Sequence, residues 1–402
     1  MKVFDVSNFA ALIGIDWADR KHDICEVNCQ TNKQHLTIIS SQPKAINAWA
    51  NALKQKYNGQ LVAVACELKK GPLIYALSKF SHIVLFPINP SSVAKYRKAF
   101  TNSGAKDDPT DAAIQVEILQ LHKHKLNVIT PDSASVRSLA QLVEYRRKLV
   151  QNRVNLTNRI TTTLKNYYPH VLDWFKEKDT MIFCDFLSRW PSLEQAQRAR
   201  KQTLVDFFNQ HNSRYPAVNE KRIEEIKQAE TLTNDKAIIA PNLLLIECLI
   251  AQLKQLMAAI ERFDVEIKAL YKPHKDRFIF DSLPGAGPQI APQLLAAMGS
   301  NRDRYHSCEE IQKYAGIAPV TERSGKKEWI HWRYSCTKFL RQTFVEWAGQ
   351  SVRYSFGQKP IIASKRLKEN HTTPSSERWH LSGSGYCFGV RKQIQRMMNQ
   401  GI

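Results

Sequence analysis

The first 90 residues alternate short apolar runs with polar breaks in an order that few architectures accept. Ala11 to Ile15 is apolar throughout and ends at Asp16-Trp17-Ala18-Asp19. Ile24 and Val27, then Leu36, Ile38 and Ile39, mark two further strands, with the polar turn Asn28 to Lys33 between them. Connections this short suit antiparallel neighbours, so the three strands read as a meander. Pro43 to Leu53 then reads as a helix, Leu61 to Cys66 as a fourth strand, Gly71 to Phe80 as a helix and Ile83 to Phe86 as a fifth strand. A meander followed by alternating helices and strands implies a mixed sheet covered on both faces.

That order is the pattern of a ribonuclease H-like α/β fold, in which residues at the ends of the central strands come close together. Asp16 ends the first strand and Glu67 the fourth. In Lys106-Asp107-Asp108-Pro109-Thr110-Asp111-Ala112 an aspartate followed by proline fits a helix start, with Asp108 as cap and Pro109 in the first helical position. A spacing of three puts Asp108 and Asp111 on neighbouring positions of that first turn. Four carboxylates brought together repel one another unless a hard cation neutralises them. Mg²⁺ suits such a set, because it takes oxygen ligands and keeps waters or phosphate oxygens in its shell. Asp19, Asp23 and Asp107 are weaker candidates.

Beyond this region the periodicity becomes helical. A helix opening at Pro131-Asp132 and running to about Tyr167 carries an apolar stripe of Val136, Val143 and Val150 beside Leu142, Leu149 and Leu156. Its remaining surface is basic, and Arg146 and Arg153 are candidates for a phosphate backbone. Residues 170 to 235 read as short helices with aromatic pairs such as Trp174-Phe175 and Phe207-Phe208. Ile246, Leu249, Leu253, Leu256, Ile260, Phe263, Ile267 and Leu270 then recur at gaps of 3, 4, 3, 4, 3, 4 and 3. Those gaps define a coiled-coil seam, which either pairs two helices of one chain or joins two subunits.

Composition narrows the partner. The chain has 402 residues, too many for one typical core, and 58 Lys and Arg against 37 Asp and Glu give a net charge of +21. Such an excess favours a polyanion, which gains both attraction and counterion release. The N-terminus lacks a signal-peptide pattern and no 18 apolar residues run together, so the expectation is a cytosolic, nucleoid-associated chain without a membrane partner. Eight dispersed cysteines, none in a CxxC pair, argue against structural zinc and disulfides.

The C-terminal third carries the remaining motifs. Ser282-Leu283-Pro284-Gly285-Ala286-Gly287-Pro288 resembles a helix-hairpin-helix turn, in which Gly285 and Gly287 permit close approach and the amides of the next helix, from about Gln289, can hold a phosphate oxygen. Tyr314-Ala315-Gly316-Ile317-Ala318-Pro319 follows, and then Ser324 before Gly325. A serine hydroxyl alone is a weak nucleophile. Arg323, Lys326, Lys327, Arg333, Lys338 and Arg341 surround this one with positive charge suited to a transferring phosphoryl group. His331 is the nearest histidine in sequence.

Taken together these residues resemble the insertion-sequence transposases that join an N-terminal RuvC-like DEDD domain to a C-terminal transposase domain with a serine nucleophile. The family's carboxylates match Asp16, Glu67, Asp108 and Asp111, and its nucleophile falls on Ser324. One departure is the stretch Trp329 to Arg341, which keeps the family's charges and lacks its glycines. The resemblance implies a RuvC-like DEDD domain over 1–128, a helical and coiled-coil oligomerisation region over 129–275, a mainly helical transposase domain over 276–356 and a basic tail over 357–402. It also implies recombination through a covalent phosphoserine link, Mg²⁺ on the four carboxylates, and donor and target DNA as substrates. A structured bridge RNA would guide the reaction, and homodimers assembling into tetramers would share composite sites. The alternatives are a Mg²⁺-dependent ribonuclease H-like nuclease or junction resolvase using water as nucleophile, and a basic nucleic-acid-binding protein whose carboxylates are structural.

Overall fold

Alternating side chains build the first sheet. The computed structural model describes residues 9–67, 70–100, 108–213, 215–300, 305, 307–325, 327–331, 333 and 336–351, so Asp107, Lys326 and the basic tail lie outside the described residues. Contacts divide the chain into two units, Met1–Pro131 and Asp132–Ile402.

In the first unit β1 (Ala11–Trp17), β2 (Lys21–Asn28) and β3 (Gln34–Ser40) form the antiparallel meander. The Asn28 side chain turns the chain between β2 and β3 by accepting from the Gln30 and Thr31 amides at 2.9 and 3.0 Å. After α1 (Pro43–Lys56), β4 (Val62–Cys66) pairs parallel to β1; after α2 (Pro72–Leu77), β5 (Ile83–Pro87) pairs parallel to β4. The sheet order is β3-β2-β1-β4-β5. α3 (Pro90–Phe100) and α4 (Asp108–His122) follow, and α4 leads into a 3₁₀ turn at Lys123–Lys125.

Period two sorts the sheet residues between two cores. Ile13, Ile15, Val64 and Cys66 pack with Ile46 and Leu53 of α1 and Leu73 and Leu77 of α2. Leu12, Ala63, Ala65 and Phe86 pack on the opposite face with Val93 of α3 and with Ala112, Val116 and Leu119 of α4. Both faces are covered, as the order of elements predicts. α4 lies very close to the strands: a Cβ added at Gly14 would stand 2.0 Å from the Ala112 carbonyl oxygen.

The second unit is organised by two long helices. α5 (Ala134–Lys165) begins at Ser133, whose hydroxyl accepts from the Val136 amide at 3.3 Å. Asp132, expected to open that helix, instead accepts from the amide and hydroxyl of Ser300 at 2.8 Å each. Short helices α6 (Val171–Trp174), α7 (Met181–Arg189), α8 (Leu193–Arg198), α9 (Lys201–Gln210) and α10 (Pro216–Gln228) enclose an aromatic core of Trp174, Phe175, Phe183, Phe186, Phe207 and Phe208. α11 (Lys236–Tyr271) then returns along α5, capped by Asp235.

The pair is antiparallel, since Arg146 meets Asp264 near one end and Asn166 meets Asn242 at the other. Ile246, Leu249, Leu253, Ile260 and Ile267 are buried, so most of the seam is spent inside the chain and is not free to join subunits. By length and composition α11 could cross a membrane. Here its apolar side packs on Leu156, Ile160 and Phe186 instead.

α12 (Arg277–Asp281), α13 (Gly287–Met298), α14 (Cys308–Ala315) and α15 (Lys338–Ser351) close a second core with Leu139 and Val143 of α5 and Ile267 and Tyr271 of α11. Between α14 and α15 stands a hairpin of β6 (Val320–Ser324) and β7 (Lys327–His331), the departure from an otherwise helical region.

Candidate active site

Register brings two of the expected carboxylates together. Ile15 pairs with Cys66 across the parallel β1 and β4, so Asp16 and Glu67 follow side by side at the carboxyl ends of both strands. Asp16 shares the face of Leu12 and Gly14, which is covered by α4, and continued alternation past Cys66 gives Glu67 the same face. Asp111 belongs to that covering helix, one residue before the Ala112 carbonyl that overlies Gly14. It is 3% exposed, and the guanidinium of Arg97 on α3 pairs with it. α4 starts at Asp108 itself, where the sequence suggests a cap just outside the helix. The Asp108 side chain lies outside the description.

Sequence reasoning underrated Asp23. It pairs with Asp16 across β1 and β2, on the same face, and is 2% exposed with Lys21 Nζ at 3.3 Å from its Oδ2. Two carboxylates directly opposed on one face of a sheet repel. Only the β1–β2 register reveals the pairing.

The donor chemistry fits a hard cation. The groups are carboxylate oxygens at one end of a sheet, and the Oδ1 of the buried Asp111 already has a cation, the Arg97 guanidinium, as its partner. The described residues do not close the set, however. No group of three or more His, Cys, Asp or Glu among them is gathered tightly enough to hold a metal. One of the expected ligands faces Arg97 instead.

In the second unit Ser324 is exposed at the end of β6, and Lys327 stands opposite it across the hairpin. Gly325 takes φ +59°, a left-handed conformation that glycine reaches without strain and that a two-residue hairpin connection requires. Arg323 pairs across the strands with Glu328 at 3.1 Å, and Lys327 and Lys338 are exposed. His331 pairs with Val320 at the far end of the hairpin, about 13 Å along the strand from Ser324 at ~3.4 Å per residue, and its Nε2 lies 2.9 Å from Glu322. It therefore cannot serve as a base for the serine.

The hairpin is rooted by the motif before it. α14 ends at Gly316 with φ +72°, Ile317 enters the core, and Arg341 Nε donates to the Gly316 carbonyl at 3.2 Å.

Several residues expected to contact nucleic acid also make contacts within the unit. Gly285 has φ +75°, and a Cβ there would stand 2.6 Å from the Ser351 amide, so this glycine allows the turn to approach α15 closely. Trp347 Nε1 fixes the same turn by donating to the Pro284 carbonyl at 3.1 Å. Gly287 stays open, with nothing within 4 Å of an added Cβ, and α13 begins there and not at Gln289. Arg146 is engaged by both carboxylate oxygens of Asp264, because it lies on the α11 side of α5. Arg341 also donates to the Arg333 carbonyl, which ties down the chain between hairpin and α15. Arg333 is half-buried, with a buried Nε that makes no hydrogen bond. Arg153 stands 3.4 Å from Asp179 in a partly exposed pair.

Arg147, read from sequence as basic surface, is a clamp. It donates to the Phe339 carbonyl at 3.0 Å, Thr343 Oγ1 at 3.1 Å, Glu346 at 3.0 Å and Gln293 Oε1, joining α5 to α13 and α15. Burial lowers its pKa, and Glu346 opposes that shift. Arg147→Ala leaves these acceptors without their donor and is expected to destabilise the second unit by about 3 kcal/mol, read as a lower denaturation midpoint.

Known proteins match both halves in order. Residues 13–169 match a DEDD-type IS110 family described as transposase, and residues 278–362 match one described as the transposase IS116/IS110/IS902 family. Together these matches take in more than half of the chain. The mini-circle protein named as a transposase for IS117 in Streptomyces coelicolor is 28% identical over 386 residues, covering 93% of this chain and 90% of its own. The IS110 protein of the same organism is 22% identical over 334 residues, 80% of this chain and 79% of its own. The protein y4uE of Sinorhizobium fredii, also named as a transposase, is 25% identical over 204 residues, 50% of this chain and 56% of its own. With an acidic sheet end in the first matched segment and an exposed serine hairpin in the second, the chain belongs to the IS110/IS116/IS902 transposases, phosphoryl-transfer enzymes with a DEDD-type N-terminal domain.

Proposed function

We propose that this transposase cuts and rejoins DNA through a covalent link between Ser324 and a strand end. The observation that carries the reading is the place of Ser324, exposed at the tip of a hairpin whose partner residue is Lys327. The hydroxyl oxygen forms a bond to the scissile phosphorus and gives up its proton. The bond to the departing strand breaks, and that strand's oxygen leaves as a hydroxyl. Lys327, opposite Ser324 and so on the same face of the hairpin, would meet the phosphate with positive charge, which favours the charge spread over its oxygens in the transition state.

Asp16, Glu67, Asp108 and Asp111 are the residues that would hold Mg²⁺. Bound there, it would supply Lewis-acid stabilisation of the phosphate. The net charge of +21 suits DNA and a guiding RNA alike. In this reading a bridge RNA supplies sequence recognition by base pairing while the protein contributes shape and charge. Dimers, and tetramers on paired DNA ends, would work without the α5–α11 seam as their main joint, since that seam is already buried in one chain.

The test sets Ser324→Ala against Asp16→Asn in strand cleavage with Mg²⁺, the chain's own RNA and its DNA sites. Loss in both variants supports the reading. Cleavage that survives in Ser324→Ala assigns the attack to water.

A further inference from the structure

We propose that Arg97 is the resident cation of the acidic sheet end, neutralising Asp111 until a divalent cation displaces it. The inference rests on the reading of these carboxylates as a cation site and asks what holds the site when no metal is there. The Asp111 side chain is 4% exposed and that of Arg97 15%, so the pair is withdrawn from water. A carboxylate in that position left uncompensated is costly, the more so with Asp16, Glu67 and Asp23 at the same end of the sheet.

The guanidinium meets Asp111 at Oδ1, on a side chain almost wholly withdrawn from water. One carboxylate oxygen cannot receive a guanidinium nitrogen and a magnesium ion in the same place. Mg²⁺ demands near-ideal octahedral contacts at about 2.0–2.1 Å. Binding at Oδ1 is therefore an exchange, and apparent affinity there is reduced by the strength of the pair it replaces. Arg97 lies one turn before the end of α3 at Phe100, and α4 starts at Asp108, so the pair bridges the two helices.

The experiment measures Mn²⁺ binding to the full chain without nucleic acid, by the electron paramagnetic resonance of free Mn²⁺, for wild type, Arg97→Gln and Arg97→Lys. Removing the competing charge is expected to tighten Mn²⁺ about tenfold in Arg97→Gln, with Arg97→Lys near wild type. Thermal melting supplies the second reading. Metal-free Arg97→Gln melts below wild type, and saturating Mn²⁺ raises its midpoint more than it raises that of wild type. Unchanged or weaker Mn²⁺ binding in Arg97→Gln overturns the inference and leaves the metal reading standing. No binding by wild type or either variant overturns the metal reading and the inference with it. Asp16→Asn weakens Mn²⁺ in both backgrounds if that reading holds.

Discussion

Asp16→Asn is expected to leave the chain folded and slow strand cleavage by at least about 10³-fold, roughly 4 kcal/mol of transition-state stabilisation. Asp16 lies one residue before the end of β1, opposite Asp23 of β2 and one step past the Ile15–Cys66 pair that leads to Glu67, so among the described residues it has acidic neighbours on both sides. Asparagine has nearly the same shape, and the strand hydrogen bonds come from the backbone. The substitution removes a charged oxygen donor and little packing. Stability should therefore change by no more than about 1 kcal/mol, as for substitutions away from core packing. Matching circular dichroism and denaturation midpoints beside the lost cleavage check both halves of the expectation. A variant that keeps cleavage with Mg²⁺ removes Asp16 from the chemistry.

Gly14→Ala should have the largest effect on the stability of the first unit. Its Cβ would lie 2.0 Å from the Ala112 carbonyl oxygen and 3.0 Å from the Ala112 carbonyl carbon. Both belong to the backbone of α4, so no side chain can swing away to make room. The helix must shift off the sheet, opening the core of Leu12, Ala63, Ala65 and Val116 and moving Asp111 away from the strand ends. Overpacking costs typically 1–3 kcal/mol, and a rigid helix on a sheet belongs at or above the upper end, about 3 kcal/mol. Gly59→Ala is the control. It has φ +72° but nothing within 4 Å, so only the left-handed conformation is penalised, by about 1 kcal/mol. Urea denaturation of the full chain compares the two. Equal losses would mean that α4 yields easily.

Much of the first unit is legible in the sequence because its signals are local. The runs at Ala11 to Ile15 and Val62 to Cys66, and the helix start at Pro43, are settled by short continuous apolar stretches between polar breaks and by a proline in a first turn. The seam from Ile246 to Leu270 is equally local, and it names a long helix correctly. Periodicity does not name the partner. The choice of α5 depends on Leu156, Ile160 and Arg146, far away in the chain.

The same limit applies to the basic residues of α5. Arg146 and Arg147 adjoin in a basic run, yet one meets Asp264 and the other reaches α13 and α15. The polar stretch after Pro319 reads as a break because Val320 to His331 forms a hairpin with no buried face to impose alternation. Asp23, Gly14 and Arg97 carry no motif. Each matters through what the sheet register or α4 brings against it.

The covalent step is the central claim, and it can be observed directly. The full chain is incubated with its RNA, its DNA sites and Mg²⁺, denatured and digested, and the DNA-linked peptide is sequenced by mass spectrometry. The account predicts a peptide joined through a phosphodiester to Ser324, absent from Ser324→Ala. DNA cut by an active preparation with no such adduct, or an adduct that persists in Ser324→Ala, would contradict it.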